Sequence, residues 1–490
     1  MKFLELLRKQ NNVKALYNNI IPDCNIFEIL PTIIKNKDEI ILLGGIELIN
    51  LHQQIKNLYP DNETIYVDSD PLESLNFNID GCECYLGDME KLKHYFEYKN
   101  KYVSYYLLES SYNKNKEFFD FVTHSIRIHN MKVTTNNNTS NNLRNFWNNN
   151  IQNNVSTYLK TQSIDSILMK HLDMPCVILM AGPSLDKNVK KLIKNKNKCI
   201  TMAPTTLINK LTKLNFTPDY YCVIDCQHVL YDIHFKEAPE QINSILLADS
   251  CVDNRIFKHF KHIITFNTGL NTPLQFVLND INPKTTILAG GTVASTCFEI
   301  AMKMGFNPIV FIGFDLAYTK MKSHTKNSYE CKIDKNSLVK THFWNSKYKM
   351  VLTSYLFITY IEWFMARMDT CKQYTIIDAT EGGMNKPRFA NMKFKQVVKN
   401  YFTTEISKEV KAPITPIHKY IEFQCNLKEA VNNLINECNK ILNGANALNI
   451  RFNVDRFIAY ELINKKINEN TVLDAVKQVK LNLQEILKII

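Results

Sequence analysis

Five short segments of this chain share one arrangement: an apolar run that ends in glycine, a small residue or a carboxylate. They are Met180-Ala181-Gly182-Pro183-Ser184-Leu185-Asp186; residues 218–225, ending Val223-Ile224-Asp225; Ala289-Gly290-Gly291-Thr292-Val293-Ala294-Ser295-Thr296; Ile312-Gly313-Phe314-Asp315-Leu316-Ala317-Tyr318-Thr319, with His324 soon after; and Ile377-Asp378-Ala379-Thr380-Glu381-Gly382-Gly383. Glycine and alanine let a backbone approach a ligand closely. Free N–H groups at a helix start, aided by the helix dipole, attract anions such as phosphate. Pro183 suits a first helical turn, and Ser184 can donate to a phosphate oxygen or cap the helix. Thr292 and Ser295 put hydroxyls at a second such start. Asp225, Asp315 and Glu381 stand where a carboxylate can hold sugar hydroxyls or a metal. A loop histidine, with an ordinary pKa near ~6.5, is a natural general base. His324 has that position, and His342 competes with it.

For each motif alone the bland reading is a capped helix or a packed turn. Two observations weigh against it. The chain has only 13 glycines in 490 residues, so a glycine that persists in so Lys-, Asn- and Ile-rich a sequence needs a backbone reason. Seven of them, Gly182, Gly290, Gly291, Gly305, Gly313, Gly382 and Gly383, fall in or near these motifs, and Gly305 and Gly313 suit turns or helix–sheet packing. Strand-end loops of one kind, repeated five times, converge on one crevice in a parallel sheet.

The elements that must position these loops are short apolar runs at residues 176–180, 199–203, 220–224, 244–248, 263–266, 286–289, 309–312 and 374–377. They lack alternation, as strands covered on both faces do, and helical stretches such as 294–304 fill the gaps. That predicts a central, mainly parallel α/β domain over residues 166–402. Residues 1–135 read as a Rossmann-like domain: a strand at 39–43, Gly44-Gly45, a helix at 46–58, a strand at 64–67 and then Asp68. Its glycine pattern is incomplete and Glu47 would crowd a phosphate, so a structural role is expected there. Residues 136–165 are Asn-rich, and Asn favours turns and caps; they read as a linker, helical only around 143–147. Residues 403–490 show helical spacing after Pro413 and Pro416, with further helices at 454–466 and 472–489. They predict a small all-α domain that serves packing, dimerisation or partner binding.

A net charge of +11 suits acidic ligands, but no basic run, RNP-like strand or basic helix marks a nucleic-acid binder. The 13 cysteines form no framework and no repeated zinc spacing, which predicts reduced thiols in a cytoplasmic protein. Residues 1–12 form a short amphipathic helix rather than a signal peptide. No apolar run reaches the ~18 residues that span a bilayer, so no membrane insertion is expected.

The order AGPSLD, PDYYCVID, GGTVASTCFEIAMKMGF, IVFIGFDLAYT…H and DATEGG resembles the motility accessory factor (Maf) family of flagellin glycosyltransferases, over roughly residues 30–400. The central domain is similar to CMP-sialic-acid-dependent sialyltransferases, a GT-A-like fold. The resemblance implies transfer of a nonulosonic acid, pseudaminic or legionaminic, from its CMP-activated form to Ser or Thr of flagellin, in support of flagellar assembly and motility. It implies no prosthetic group and leaves a divalent metal open. Carried over, Ala181, Gly182, Pro183 and Ser184 line the CMP phosphate and ribose, and Asp225 faces the ribose or donor sugar. Gly290, Gly291, Thr292 and Ser295 hold the cytidine side. Asp315, Tyr318 and His324 surround the reacting centre, with His324 as base, and Thr380 and Glu381 complete the wall. The chain departs from the family at Met180, at Cys226 where Pro often follows the acid, and near Pro204 where Asn is common. Two other readings compete. One is a pterin-type diphosphokinase using ATP, with Mg²⁺ held by Asp225 and Asp315; the other is a non-catalytic flagellin-binding assembly factor.

Overall fold

The structure, a computed structural model, describes residues 20–21, 39–45, 48, 52–69, 83–86, 92, 95–96, 99, 101–235, 237–269, 272–328, 333, 338–408, 416–443 and 470–489. The chain forms two compact units. One comprises Met1–Asn141, Asp334–Thr341 and Leu352–Thr359; the other comprises Asn142–Ile333, His342–Val351 and Tyr360–Ile490. The N-terminal amphipathic stretch, most of 46–51 and the helix expected at 454–466 lie outside the described residues.

The first unit is built on a five-stranded parallel sheet. Its strands are β1 (Ile20–Ile21), β2 (Ile40–Gly44), β3 (Thr64–Asp68), β4 (Glu83–Leu86) and β5 (Val103–Leu108), in the order β1-β5-β2-β3-β4. β2 and β3 are buried along their whole length, which is why their apolar runs do not alternate. Helix α1 (His52–Leu58) lies between them in the chain, and α2 (Glu109–Lys114) follows β5. This is the Rossmann-like outline. Asp68 is used locally: its carboxylate accepts the Ser69 N–H at 2.6 Å.

The Asn-rich stretch is helical well beyond residues 143–147. It belongs to α3 (Lys116–Lys160), one continuous helix of 45 residues. Asn costs a helix only about 0.5 kcal/mol per residue, which tertiary packing readily overrides. Here Ile151, Val155, Tyr158 and Leu159 bury one face. Two asparagines are themselves buried and cross-link the helix to the sheet. Asn150 Nδ2 donates to the carbonyls of Cys226 and Cys251, both at 2.8 Å. Asn154 Nδ2 donates to Ser250 O at 2.9 Å and Val252 O at 2.7 Å. Asn154→Leu should lower the unfolding free energy by about 2 kcal/mol, because it strands two buried carbonyls; denaturant melts of the two proteins would measure it.

The second unit carries a nine-stranded sheet in which every pairing is parallel. In chain order its strands are β6 (Gln162–Ser163), β7 (Cys176–Leu179), β8 (Ile200–Pro204), β9 (Tyr220–Val223), β10 (Ile242–Asp249), β11 (Phe260–Phe266), β12 (Ile309–Ile312), β15 (Ile376–Asp378) and β16 (Ala390–Asn391); a separate ribbon, β13 (Leu338–His342) and β14 (Met350–Ser354), belongs mostly to the first unit. The order across the sheet is β16-β15-β12-β7-β8-β9-β10-β11-β6. Residues 286–289 contribute only an isolated bridge, Asn267 to Thr286, rather than the expected strand; Pro283, three residues before, interrupts the approach to that edge.

Helices cover both faces. Helices α4 (Leu185–Lys194), α5 (Ile208–Lys213) and α10 (Phe394–Tyr401) bury Leu185, Val189, Leu192, Leu211, Phe394 and Val397 on one side. Helices α8 (Val293–Lys303) and α9 (Tyr355–Asp369) bury Cys297, Phe298, Ile300, Ile361 and Phe364 on the other. Between α5 and α8 in the chain lie α6 (His228–His234) and α7 (Pro273–Ile281). The final helices, α11 (Ile417–Leu442) and α12 (Asn470–Ile489), share a core with α3 and α7 through Leu427, Val431, Val476, Val479, Ile151 and Leu278. They complete that core rather than forming an independent one, because each presents a single apolar face.

Lys284 closes the end of α3. Its Nζ donates to Tyr158 O at 2.7 Å and Thr161 O at 3.0 Å, and also to the Thr265 hydroxyl. A cation suits the negative end of a helix dipole. Burial drives its pKa down, against the three hydrogen bonds that its ammonium donates.

Candidate functional site

From β7 the chain steps through β8, β9, β10 and β11 in one direction and then returns to lay β12 on the other side of β7. β7 and β12 therefore bracket a topological switch point, and ligands of parallel α/β sheets bind outside the carboxyl ends of strands at such points. Loops 180–184 and 313–318 leave the sheet there. They close on each other. Gly182 N–H donates to Gly313 O at 2.8 Å. The Asp315 carboxylate accepts the Ser184 N–H at 3.2 Å to each oxygen and the Ser184 hydroxyl at 2.6 Å. The start of α4 thus already holds an anion, the buried carboxylate of Asp315. Desolvation raises that carboxyl to about 6, against the lowering effect of Ser184 and Lys386.

Glycine is obligatory in this closure. A Cβ on Gly182 would lie 2.2 Å from Asp315 Oδ1 and 2.4 Å from Gly313 O. Gly383 has φ +72°, and its Cβ would lie 2.1 Å from Asp315 O. The third loop, from β15, is clamped onto the same carboxylate residue: Met384 N–H donates to Asp315 O at 2.8 Å. Behind it Asp378 and Lys386 form a fully buried ion pair at 3.0 Å, while Asp378 also accepts the Thr380 N–H at 3.0 Å. Glu381 faces inward: its Oε1 accepts from Asn188 at 3.2 Å and from the Phe394 N–H at 2.9 Å, which fixes the start of α10. Thr380 is fully buried and its hydroxyl has no partner.

The glycine pair of loop 288–292 is different. Gly291 is exposed, with φ +78°. α8 runs from the β11 side back to β12, so its first turn stands at the carboxyl edge of the sheet. Gly290 packs on the Trp363 ring and Gly291 on the Tyr360 ring. Tyr360 is pushed up to about 12 by burial, with Tyr318 nearby adding to the shift. Thr292 caps α8, accepting the Ala294 N–H at 3.5 Å. Ser295 is buried and shapes the loop: it accepts the Gly290 N–H at 2.7 Å and donates to Thr292 O at 2.6 Å.

Loop 318–328 is tied down beside α4. Thr325 N–H donates to Ala181 O at 2.7 Å, and its hydroxyl to Asp186 Oδ1 at 2.9 Å. Half-buried His324 pairs its Nδ1 with the Ser323 hydroxyl at 2.8 Å. Burial lowers its pKa. His234 beside it falls to about 4, by burial and by repulsion from His324. The imidazole of His342 belongs to the β13 ribbon; its Nδ1 is buried without a partner.

Asp225 stands at the carboxyl end of β9, exposed to solvent, yet the protein around it desolvates the carboxyl enough to raise its pKa. Three residues on is His228, which sequence reasoning missed. Its Nδ1 lies 2.7 Å from Asp253 Oδ2. Asp253 is buried and is also held by Arg255, whose Nη2 lies 2.7 Å from Oδ2 and whose Nε lies 3.1 Å from both oxygens. Burial alone would raise Asp253, but hydrogen bonds from Arg255 and His228 hold it below the usual carboxylate range. The pairing joins residues 25 apart, from the ends of two different strands, so no local spacing announces it.

The structure therefore sorts the expected residues. Ser184, Asp315 and Gly182 form the closed base of the edge; Thr380 and Ser295 are buried supports and Glu381 a half-buried one. Asp225, Gly291, Thr292, Tyr318 and His324 remain partly accessible. Among the described residues no group of three or more His, Cys, Asp or Glu side chains is placed to hold a metal ion, and no helix is long and apolar enough to cross a membrane.

Residues 149–321 match the family model described as 6-hydroxymethylpterin diphosphokinase MptE-like. The chain is similar in structure to the MAf glycosyltransferase from Magnetospirillum magneticum AMB-1, with a TM-score of 0.50, 12% sequence identity, and 92% of this chain and 73% of that chain covered. No curated protein matches the sequence. The fold of this chain is that of the Maf glycosyltransferase.

Proposed function

We propose that this chain is a glycosyltransferase that moves a nonulosonic acid, pseudaminic or legionaminic, from its CMP-activated donor to Ser or Thr hydroxyls of flagellin. One observation carries the proposal. An accessible but desolvated carboxylate, Asp225, and the accessible start of an 11-residue helix, at Gly291 and Thr292, occur at the same carboxyl edge of one parallel sheet. The likeness to a glycosyltransferase over 92% of the chain supports it.

The chemistry suits that edge. CMP leaves as a phosphate, so its departure needs charge stabilisation more than a proton. The dipole and N–H groups at the start of α8 are suited to that need. Asp225 accepts hydrogen bonds from ribose or sugar hydroxyls. The sugar passes through an oxocarbenium-like state, as in other glycosyl chemistry. Asp315 acts as a positioning residue that fixes Ser184 and Gly182.

The diphosphokinase reading draws on the family model over residues 149–321. It needs Asp315 as a metal ligand, and that carboxylate is buried and accepts from Ser184 on both oxygens.

Intact-mass analysis of flagellin co-expressed with this chain and each CMP-nonulosonate pathway tests the proposal. A gain of one or more sugar masses is expected. Flagellin that binds the chain but never gains mass would instead support an assembly factor. Mg²⁺-dependent consumption of ATP with a hydroxymethylpterin would support the diphosphokinase.

A further inference from the structure

We infer that the group that takes the acceptor proton is His228, held by Asp253, rather than His324; the inference rests on the glycosyltransferase reading. The argument starts from Asp253. Its two oxygens face the Arg255 guanidinium, with contacts of 2.7–3.1 Å, so the carboxylate is charged and can only accept. The contact of 2.7 Å to His228 Nδ1 then requires the hydrogen to sit on Nδ1. A neutral His228 must therefore keep its free lone pair on Nε2. A buried carboxylate that sets the tautomer and orientation of an exposed imidazole is the arrangement of a general base.

His228 is also placed for the task. Its side chain is 51% exposed, against 2% for Asp253. It stands three residues after Asp225, on the turn that leaves β9. The ring is steadied by Phe146, at 5.5 Å between centroids, and its backbone carbonyl accepts from Arg255 Nη2 at 3.0 Å. Arg255 is fixed in turn by Asp232, at 2.9 Å, and by the Tyr231 ring, at 4.2 Å. Around the imidazole the charged groups are thus Asp253 and Arg255, with Asp225 on the same turn. His324 has a hydroxyl as its Nδ1 partner and a second histidine close by. A serine hydroxyl can donate or accept, so this contact does not set the His324 tautomer, and burial opposes the gain of a proton.

The step balances simply. The acceptor hydroxyl oxygen forms a bond to the anomeric carbon, and the bond from that carbon to the phosphate oxygen breaks. The bonding pair leaves with CMP. The hydroxyl proton moves to His228 Nε2, and the imidazolium so formed is stabilised by Asp253.

The test uses the full chain, purified flagellin, and CMP-pseudaminic and CMP-legionaminic acid as donors. His228→Ala should lose on the order of 100-fold in kcat with KM and CMP affinity nearly unchanged, and added imidazole should restore part of the rate. His228→Asn, whose amide can still donate to Asp253, should fold as the parent does and show the same loss. His324→Ala should lose markedly less than His228→Ala, and added imidazole should leave its rate unchanged, since no proton transfer is lost with it. Transfer by His228→Asn within threefold of the parent would overturn the assignment, as would a large loss confined to His324→Ala or a His228→Ala defect that imidazole does not relieve. A parent chain that transfers neither sugar would overturn the glycosyltransferase reading itself.

Discussion

Lys386→Met is expected to lower the unfolding free energy of the second unit by about 3–5 kcal/mol, the usual cost of removing one partner from a buried ion pair. Both side chains of the Lys386–Asp378 pair are fully buried. Methionine fills the volume but leaves Asp378 with only the Thr380 N–H among its charge-compensating contacts. The effect should reach the site. Lys386 is one of the groups that hold down the Asp315 carboxyl, already raised to about 6, so its loss should favour protonation of Asp315 and loosen the grip on Ser184. Calorimetry of the single variant and of Lys386→Met with Asp378→Asn separates charge from packing. The double variant should recover much of the loss, because no uncompensated charge is left. Equal instability of the two would mean that packing around Phe314, over which the Lys386 amine lies at 5.4 Å, matters more than charge.

Gly182→Ala should have the largest effect on ligand binding for the smallest change in mass. The added methyl would meet a carboxylate oxygen and a carbonyl oxygen, at 2.2 Å and 2.4 Å. Neither can retreat easily, since the Gly182–Gly313 hydrogen bond and the Ser184–Asp315 contacts hold both in place. Overpacking of this kind costs about 1–3 kcal/mol. It also pushes the β7 and β12 loops apart at the switch point. CMP affinity should fall by more than about tenfold, equivalent to roughly 1.4 kcal/mol. Titration calorimetry with CMP reads the change. Wild-type affinity in Gly182→Ala would remove the closed base from the binding site.

The sheet itself was legible because its strands are buried on both faces. Runs such as Cys176–Leu179 and Ile309–Ile312 leave no alternation and no polar residue, and parallel pairing follows. The Rossmann-like outline of the first unit was legible for the same reason. Asparagine misled at α3, since propensity is a weak guide when Asn150 and Asn154 find backbone carbonyls inside the core. At the candidate site, glycines and strand-end acids fall at the carboxyl ends of the strands, as expected, but the sequence does not tell what each one does. Ser184 and Asp315 lie 131 residues apart, and only folding reveals that they satisfy each other. His228 was invisible for the same reason: its meaning depends on Asp253 and Arg255, which arrive from the next strand end. Exposed and buried acids look alike in sequence, so Asp225 and Asp315 drew the same expectation and have opposite surroundings.

The closed junction of the β7, β12 and β15 loops has a consequence for how such a protein can change over time. The residues that keep the edge in shape, Gly182, Gly313, Gly383, Asp315 and Lys386, are spent on one another and make few demands on what is bound. Those that face outward, Asp225 with His228, Gly291, and Tyr318, hang on three separate loops. A lineage can therefore exchange its outward residues, and with them what it binds, one loop at a time, while a handful of inward positions stays frozen. Similarity in architecture that outlasts similarity in sequence, as in the 12% identity across 92% of this chain, is what such a division of duties would leave behind.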